Sequence, residues 1–143
     1  MAGGGKFEIA IKQAQLARIF DNIKSSQDVY VQLVRVHPDG TERDFARTAT
    51  CHGGDLRPSW SDEKFVVNQA GGKSLMLRVF VEHFWRQDYK CGQATLDFEA
   101  TLASVARGQT VISELQLQKK GVVHGSLRVS IGPSDVRAGP AAM

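Results

Sequence analysis

The side chains with the widest chemical repertoire are thinly spread along this sequence. Histidines stand at His37, His52, His83 and His124, and cysteines at Cys51 and Cys91. A zinc site could be drawn from Cys51, His52, His83 and Cys91, but no pair among them has the short spacing that anchors a structural zinc. Catalytic patterns are equally thin. No Ser, His and Asp share a nucleophile elbow, and the Gly-rich turns lack the Lys of a phosphate-binding loop. The residues imply a non-catalytic protein that needs no metal and no cofactor. Two unpaired cysteines fit one small buried thiol and one loop thiol in a reducing, intracellular compartment.

Apolar and basic side chains, by contrast, are gathered in particular segments. Phe20 and Ile23 lie in one, Leu56 in a second, and Phe84 with Trp85 in a third, flanked by Arg18, Lys24, Arg57 and Arg86. Apolar tips ringed by cations suit an anionic bilayer, where aromatic rings sink to the headgroup boundary and each Lys or Arg adds about 1 kcal/mol. The same groups suit a protein contact. The net charge of +3 favours an anionic partner but falls short of a nucleic-acid-binding tail. The partner classes are therefore an anionic phospholipid membrane or an unidentified protein, with no nucleic acid.

These segments must be positioned by something, and the elements between them are strands. With 143 residues, 42% of them hydrophobic and 23% charged, one domain with a real core is expected. Period-two alternation recurs at Phe7, Ile9 and Ile11; at Val29, Val31 and Leu33; and at Leu75, Leu77, Val79 and Val81. It continues at Ala94, Leu96 and Phe98; at Ser113, Leu115 and Leu117; and at Leu127, Val129 and Ile131. Shorter runs at 43–50 and 63–67 bring the total to about eight strands. Turn signals at 38–40, 52–55, 70–72, 107–109 and 119–121 leave no room for crossover helices, so the sheets should be antiparallel. Leu16, Ile19, Phe20 and Ile23 instead have the spacing of a helix face, read here as a long loop with a helical turn that could lid one end.

The stretch GDLRPSWSDEKF at 54–65 joins a Gly and Pro turn signal to a lone Trp60. A large aromatic just past such a turn is expected as the first buried residue of a strand, spanning both inner faces. The N-terminus carries no apolar signal region, Ala2 excludes N-myristoylation, and no apolar run is long enough to cross a bilayer. A cytoplasmic protein follows, with peripheral membrane attachment as an option. The expected division is a disordered N-terminus at 1–5, the domain at 6–132 and a flexible tail at 133–143.

Read together, DVYV at 28–31, RPSW at 57–60 and LRVFV followed by Gly92 resemble a C2 domain, whose corresponding motifs are D-P-Y-V, N-P-x-W and an L-x-V strand with a later Gly. The sequence is also similar to the small single-C2 proteins of plants, which carry D-V-Y and a G-G before N-P-x-W. The resemblance covers residues 6–131. It implies an all-β fold, an eight-stranded antiparallel β-sandwich. HGSLRVSIG closes the chain where the family's other permutation would open it, which implies type II topology. Asp62, Glu63 and Phe65 stand for the family's N-E-x-F with one extra residue, leaving open which acid takes the Glu position.

The resemblance also locates the family's calcium loops, and here they are degenerate. Asp28 matches one ligand, but Asn22 stands at another, with Asp21 one residue early. The third loop puts Val81, His83 and Tyr89 at positions that are normally Asp, with Asp88 as the acid nearby. Valine offers no oxygen and imidazole is a poor ligand for a hard cation, so no functional calcium binding is expected. Asp28 should instead bond loop backbone. Arg35, Arg43, Arg47 and Lys64 fall on strands that form the family's concave basic face, a second possible phosphoinositide site.

Overall fold

Alternating apolar residues become strands when each inward face finds a partner, and here nearly all of them do. The computed structural model describes residues 5–18, 27–83 and 87–134. It contains β1 (Lys6–Leu16), β2 (Val29–Val36), β3 (Glu42–Arg47), β4 (Ser59–Asn68), β5 (Ser74–Val81), β6 (Tyr89–Asp97), α1 (Phe98–Val105), β7 (Val111–Lys119) and β8 (Val122–Gly132). The strand order is β3-β2-β5-β6-β7-β8-β1-β4. Every pairing is antiparallel, but β6 and β7 are joined only at Gln93 and Gln118. At that weak seam the sheet folds over, and β3-β2-β5-β6 and β7-β8-β1-β4 become the two layers of a type II sandwich. The last strand lies beside the first, as the resemblance implied.

Burial follows the alternation. Phe7, Ile9, Val31, Leu33, Leu77, Val79, Leu127 and Val129 fill the space between the layers. Trp60, 7% exposed at the start of β4, joins them and so anchors the core. Phe65 and Leu96 pack against this cluster only partly buried.

β1 and β4 contain the irregularity that hid one motif. Ile11 pairs with Glu63 and Gln13 with Ser59, so Lys12 alone faces Trp60, Ser61 and Asp62. Ser61 and Asp62 take left-handed backbone, φ 52° and 60°, and Lys12 Nζ reaches Asp62 Oδ1 at 2.8 Å. The extra residue is absorbed in this bulge. Glu63, whose Oε1 accepts from Ala49 N at 3.0 Å, stays in regular pairing two residues before Phe65.

Two element assignments need correction. Phe98 does not continue a strand: it opens α1, because Asp97 turns the chain and accepts from Ala100 N at 2.9 Å as an N-cap. Leu16 belongs to no helix and ends β1, buried, while Ile19, Phe20 and Ile23 lie outside the described residues. The strand expected at 43–50 stops at Arg47; beyond it Thr48 N donates to the Val31 carbonyl at 2.9 Å and Cys51 bridges to Val29.

Candidate functional site

Antiparallel order sends four connections to one end of the sandwich. They are residues 17–28 between β1 and β2, 48–58 between β3 and β4, 82–88 between β5 and β6, and the turn at Lys120 and Gly121 between β7 and β8. Of the residues expected to act at this end, Phe20, Asn22, Ile23, Lys24, Phe84, Trp85 and Arg86 lie outside the described residues.

Asp28 ties three of these connections together. Its Oδ1 accepts from Gly53 N at 2.8 Å, its Oδ2 lies 3.6 Å from His52 Nδ1, and its carbonyl accepts from Glu82 N at 2.8 Å. Asp88 is committed in the same way. Oδ2 accepts from the Tyr30 hydroxyl at 2.7 Å and Oδ1 from His83 N at 3.1 Å. His83 Nδ1 sits 3.1 Å from the Gln87 carbonyl, which can only accept, so that nitrogen carries the ring proton. Val81 is fully buried in the core. Tyr89 lies half-buried with Lys119 Nζ 4.0 Å from its ring centroid.

Glu82 is an acid that the sequence motifs passed over, and it too is engaged. Oε2 lies 3.7 Å from an Arg47 nitrogen and accepts from Thr50 Oγ1 at 3.2 Å. Among the described residues no three His, Cys, Asp or Glu side chains are grouped to hold a metal ion. Cys91 lies in the core, where burial pushes its thiol up to about 12.

The four basic residues expected on one concave face are not brought together. Lys64 is on β4, in the other layer, 3.9 Å from Glu8. Arg35 donates to the Asn68 carbonyl at the far end of β4 and lies over the Phe45 ring at 5.1 Å, with Arg43 opposite it in register. Arg47 lies near the loop end, its guanidinium 3.6 Å above the Tyr30 ring. Its neighbours across that face, Gln32, Arg78 and Gln93, were not singled out before, and with Arg47 they form one row over β3-β2-β5-β6. Tyr30, Phe80 and Lys90 form the next. Strand alternation marks Arg78, between buried Leu77 and Val79, as outward-facing, and this was the available signal. Arg78 pairs with Glu42 at 2.6 Å.

Leu56 and Arg57, with Arg18 just after β1, are the described members of the apolar and basic set. Leu56 and Arg57 are both exposed, Leu56 by 41%. The backbone around these two is fixed: Leu16 N donates to the Leu56 carbonyl at 2.8 Å and Arg57 N to that of Gly54 at 3.0 Å. A separate cleft of about 560 Å³ lies along the β6–β7 seam, lined by Gln93, Thr95, Glu114, Gln116 and Gln118 among others.

A sequence model of the C2 domain matches residues 5–116, from β1 into β7. No curated protein matches. Among solved structures, the chain is similar to a C2 domain-containing protein at 20% identity and TM-score 0.67, covering 99% of this chain and 96% of that one. It is similar to the C2A domain of plant Extended Synaptotagmin 1 at 18% identity and TM-score 0.70, covering 94% and 98%. Human GIVD cytosolic phospholipase A2 shares the fold over 89% of this chain but 16% of its own length, at 20% identity and TM-score 0.65.

Proposed function

The chain belongs to the C2 domain family of lipid- and protein-binding modules, and from that premise we propose that it docks on anionic membranes without calcium, through the apolar and basic side chains of its loop end. One observation carries the reading. At the end where Leu56 and Arg57 stand exposed, the carboxylates of Asp28 and Asp88 are already bonded to Gly53, Tyr30 and His83. A calcium ion needs several oxygens converging on one point, and among the described residues these carboxylates are turned to separate partners within the chain and no such group forms. Apolar and cationic groups need no such convergence to meet a lipid headgroup region. Phe20, Ile23, Lys24, Phe84, Trp85 and Arg86 belong by sequence to the same connections and are the further groups proposed to act with them. No described helix is long and apolar enough to cross a membrane, which leaves surface attachment as the mode proposed.

Sedimentation with neutral and anionic vesicles, in calcium and in chelator, tests the proposal. Binding should require anionic lipid, ignore calcium and weaken as salt rises. Trp85→Ala or Phe84→Ala should remove most of it. No sedimentation with any vesicle at low salt, or binding indifferent to lipid charge, would overturn the reading in favour of protein docking.

A further inference from the structure

We propose that the tip of the β7–β8 hairpin is an additional insertion element, with Val122 and Val123 entering the anionic bilayer beside Leu56; the inference rests on the membrane reading above. Lys119 pairs with Val122, so Lys120 and Gly121 alone make the turn. Both have left-handed backbone, φ 52° and 80°, the signature of a tight two-residue hairpin that matches strand twist. Such a tip presents its side chains on a firm backbone rather than on a long loop.

Val122 is 55% exposed and Val123 49%. Neighbouring residues on a strand point to opposite faces, so one of the two would ordinarily be buried. Here neither is, and the fold makes no use of them. The hairpin is also held to the loop end. Leu117 pairs with Gly125 and Gln118 with Val123, so His124 is an extra residue that bends the strand. At Gly125, φ 149°, a Cβ would collide with the Gln15 carbonyl, so only glycine allows β8 to approach β1 this closely.

Backbone hydrogen bonds then join the hairpin to the loop that bears Leu56. Leu16 N donates to the Leu56 carbonyl and the next residue, Ala17 N, to the His124 carbonyl, each at 2.8 Å. The end of β1 thus lies between Leu56 with Arg57 on one side and the hairpin tip on the other, one rim with exposed leucine and valines. Charge selects the occupant. Among the described residues of these connections, Asp28, Glu82 and Asp88 are half-buried and turned to the chain's own donors, Glu82 also to Arg47, which leaves Asp55 as the exposed acid. Arg57 and Lys120 project exposed side chains, and Lys119 holds a cation at the hairpin base through the Lys90 carbonyl. Aliphatic groups flanked by cations match an anionic bilayer better than a neutral one.

The test pairs Val122→Thr with Val123→Thr, near-isosteric changes that keep β-branching, and sediments the full chain with phosphatidylcholine–phosphatidylserine vesicles in chelator. Wild type should bind, and the double variant should bind about tenfold more weakly at an unchanged melting temperature. An environment-sensitive dye on Val122→Cys, in a Cys51→Ser background, should shift to the blue on anionic vesicles. If wild type and Val122→Thr/Val123→Thr bind alike and the dye stays in water, the hairpin is not inserted, while the docking reading stands. If wild type ignores vesicles, the docking reading fails first. A double variant that changes only self-association would assign the valines to a second copy of the chain and overturn the inference.

Discussion

The Tyr30 hydroxyl donates to Asp88 Oδ2 at 2.7 Å, and the other oxygen of the same carboxylate accepts from His83 N at 3.1 Å. One side chain thus ties the connection between β5 and β6 both to itself and to β2. Tyr30 is held in turn by Phe80, stacked at 5.4 Å, and by the Arg47 guanidinium above its ring. Removing the carboxylate strands two donors, whereas removing the hydroxyl strands none. Asp88→Ala should therefore cost about 1–3 kcal/mol and Tyr30→Phe about 0.5–1.5 kcal/mol. Urea denaturation of both variants checks the order. A Tyr30→Phe loss larger than that of Asp88→Ala would mean that the hydroxyl acts through something other than the Asp88 carboxylate.

The same bond makes a pH prediction. Burial first, then the hydrogen bond to Asp88, raises the Tyr30 phenol above its ordinary 10.0. The protonated form is thereby favoured in the folded state relative to the unfolded one. Its contribution to stability is fully present below pH 10.0, the unfolded value, and is lost as pH rises through the higher folded value. Absorbance titration of wild type minus Tyr30→Phe isolates this group. The difference curve should have its midpoint above pH 10.0, and a midpoint at or below it would contradict the bonded geometry.

Trp60 separates packing from polarity. Its indole is buried in the core, and among the described residues Nε1 has no hydrogen-bond partner. Trp60→Phe then sacrifices part of the volume and should cost less than Trp60→Ala, which opens the larger cavity and should cost about 3–5 kcal/mol. Equal losses for the two, measured by thermal or urea unfolding, would show that the indole nitrogen matters after all.

How much of this was legible depended on whether a local pattern had one meaning. Val29, Val31 and Leu33 alternate without interruption and become one core-facing row. In β1 the bulge at Lys12 shifts the parity, so buried positions run Phe7, Ile9, Ile11 and then Ala14, Leu16. Leu16 therefore looked like the start of a helical face. Phe98 satisfied two periods at once, continuing Ala94 and Leu96 by twos and opening Phe98, Thr101 and Val105 on the buried face of α1. The N-cap at Asp97 decided it. Lys64 could not be assigned to a face from spacing, because the layer of β4 is set by its pairing with β1. The commitments of Asp28 and Asp88 were hidden for a related reason: Gly53 and Tyr30 are distant in sequence and meet them only in the fold.

Those commitments yield the calcium prediction. Asp28 bridges to Gly53 and His52, Asp88 to Tyr30 and His83, and Val81 is buried where the family carries an acid. Any ion that bound the native state would raise its stability by mass action, about 2.7 kcal/mol at a concentration 100 times the dissociation constant. A domain of this size would show that as a shift of several degrees. The melting temperature should instead be the same in millimolar calcium and in chelator. Asp28→Asn supplies the control, since its amide oxygen can still accept from Gly53 N while the charge is gone. The variant should melt close to wild type and be equally indifferent to calcium. A rise in melting temperature that chelator reverses, and that Asp28→Asn abolishes, would show that calcium outcompetes the internal bonds and that Asp28 is its ligand.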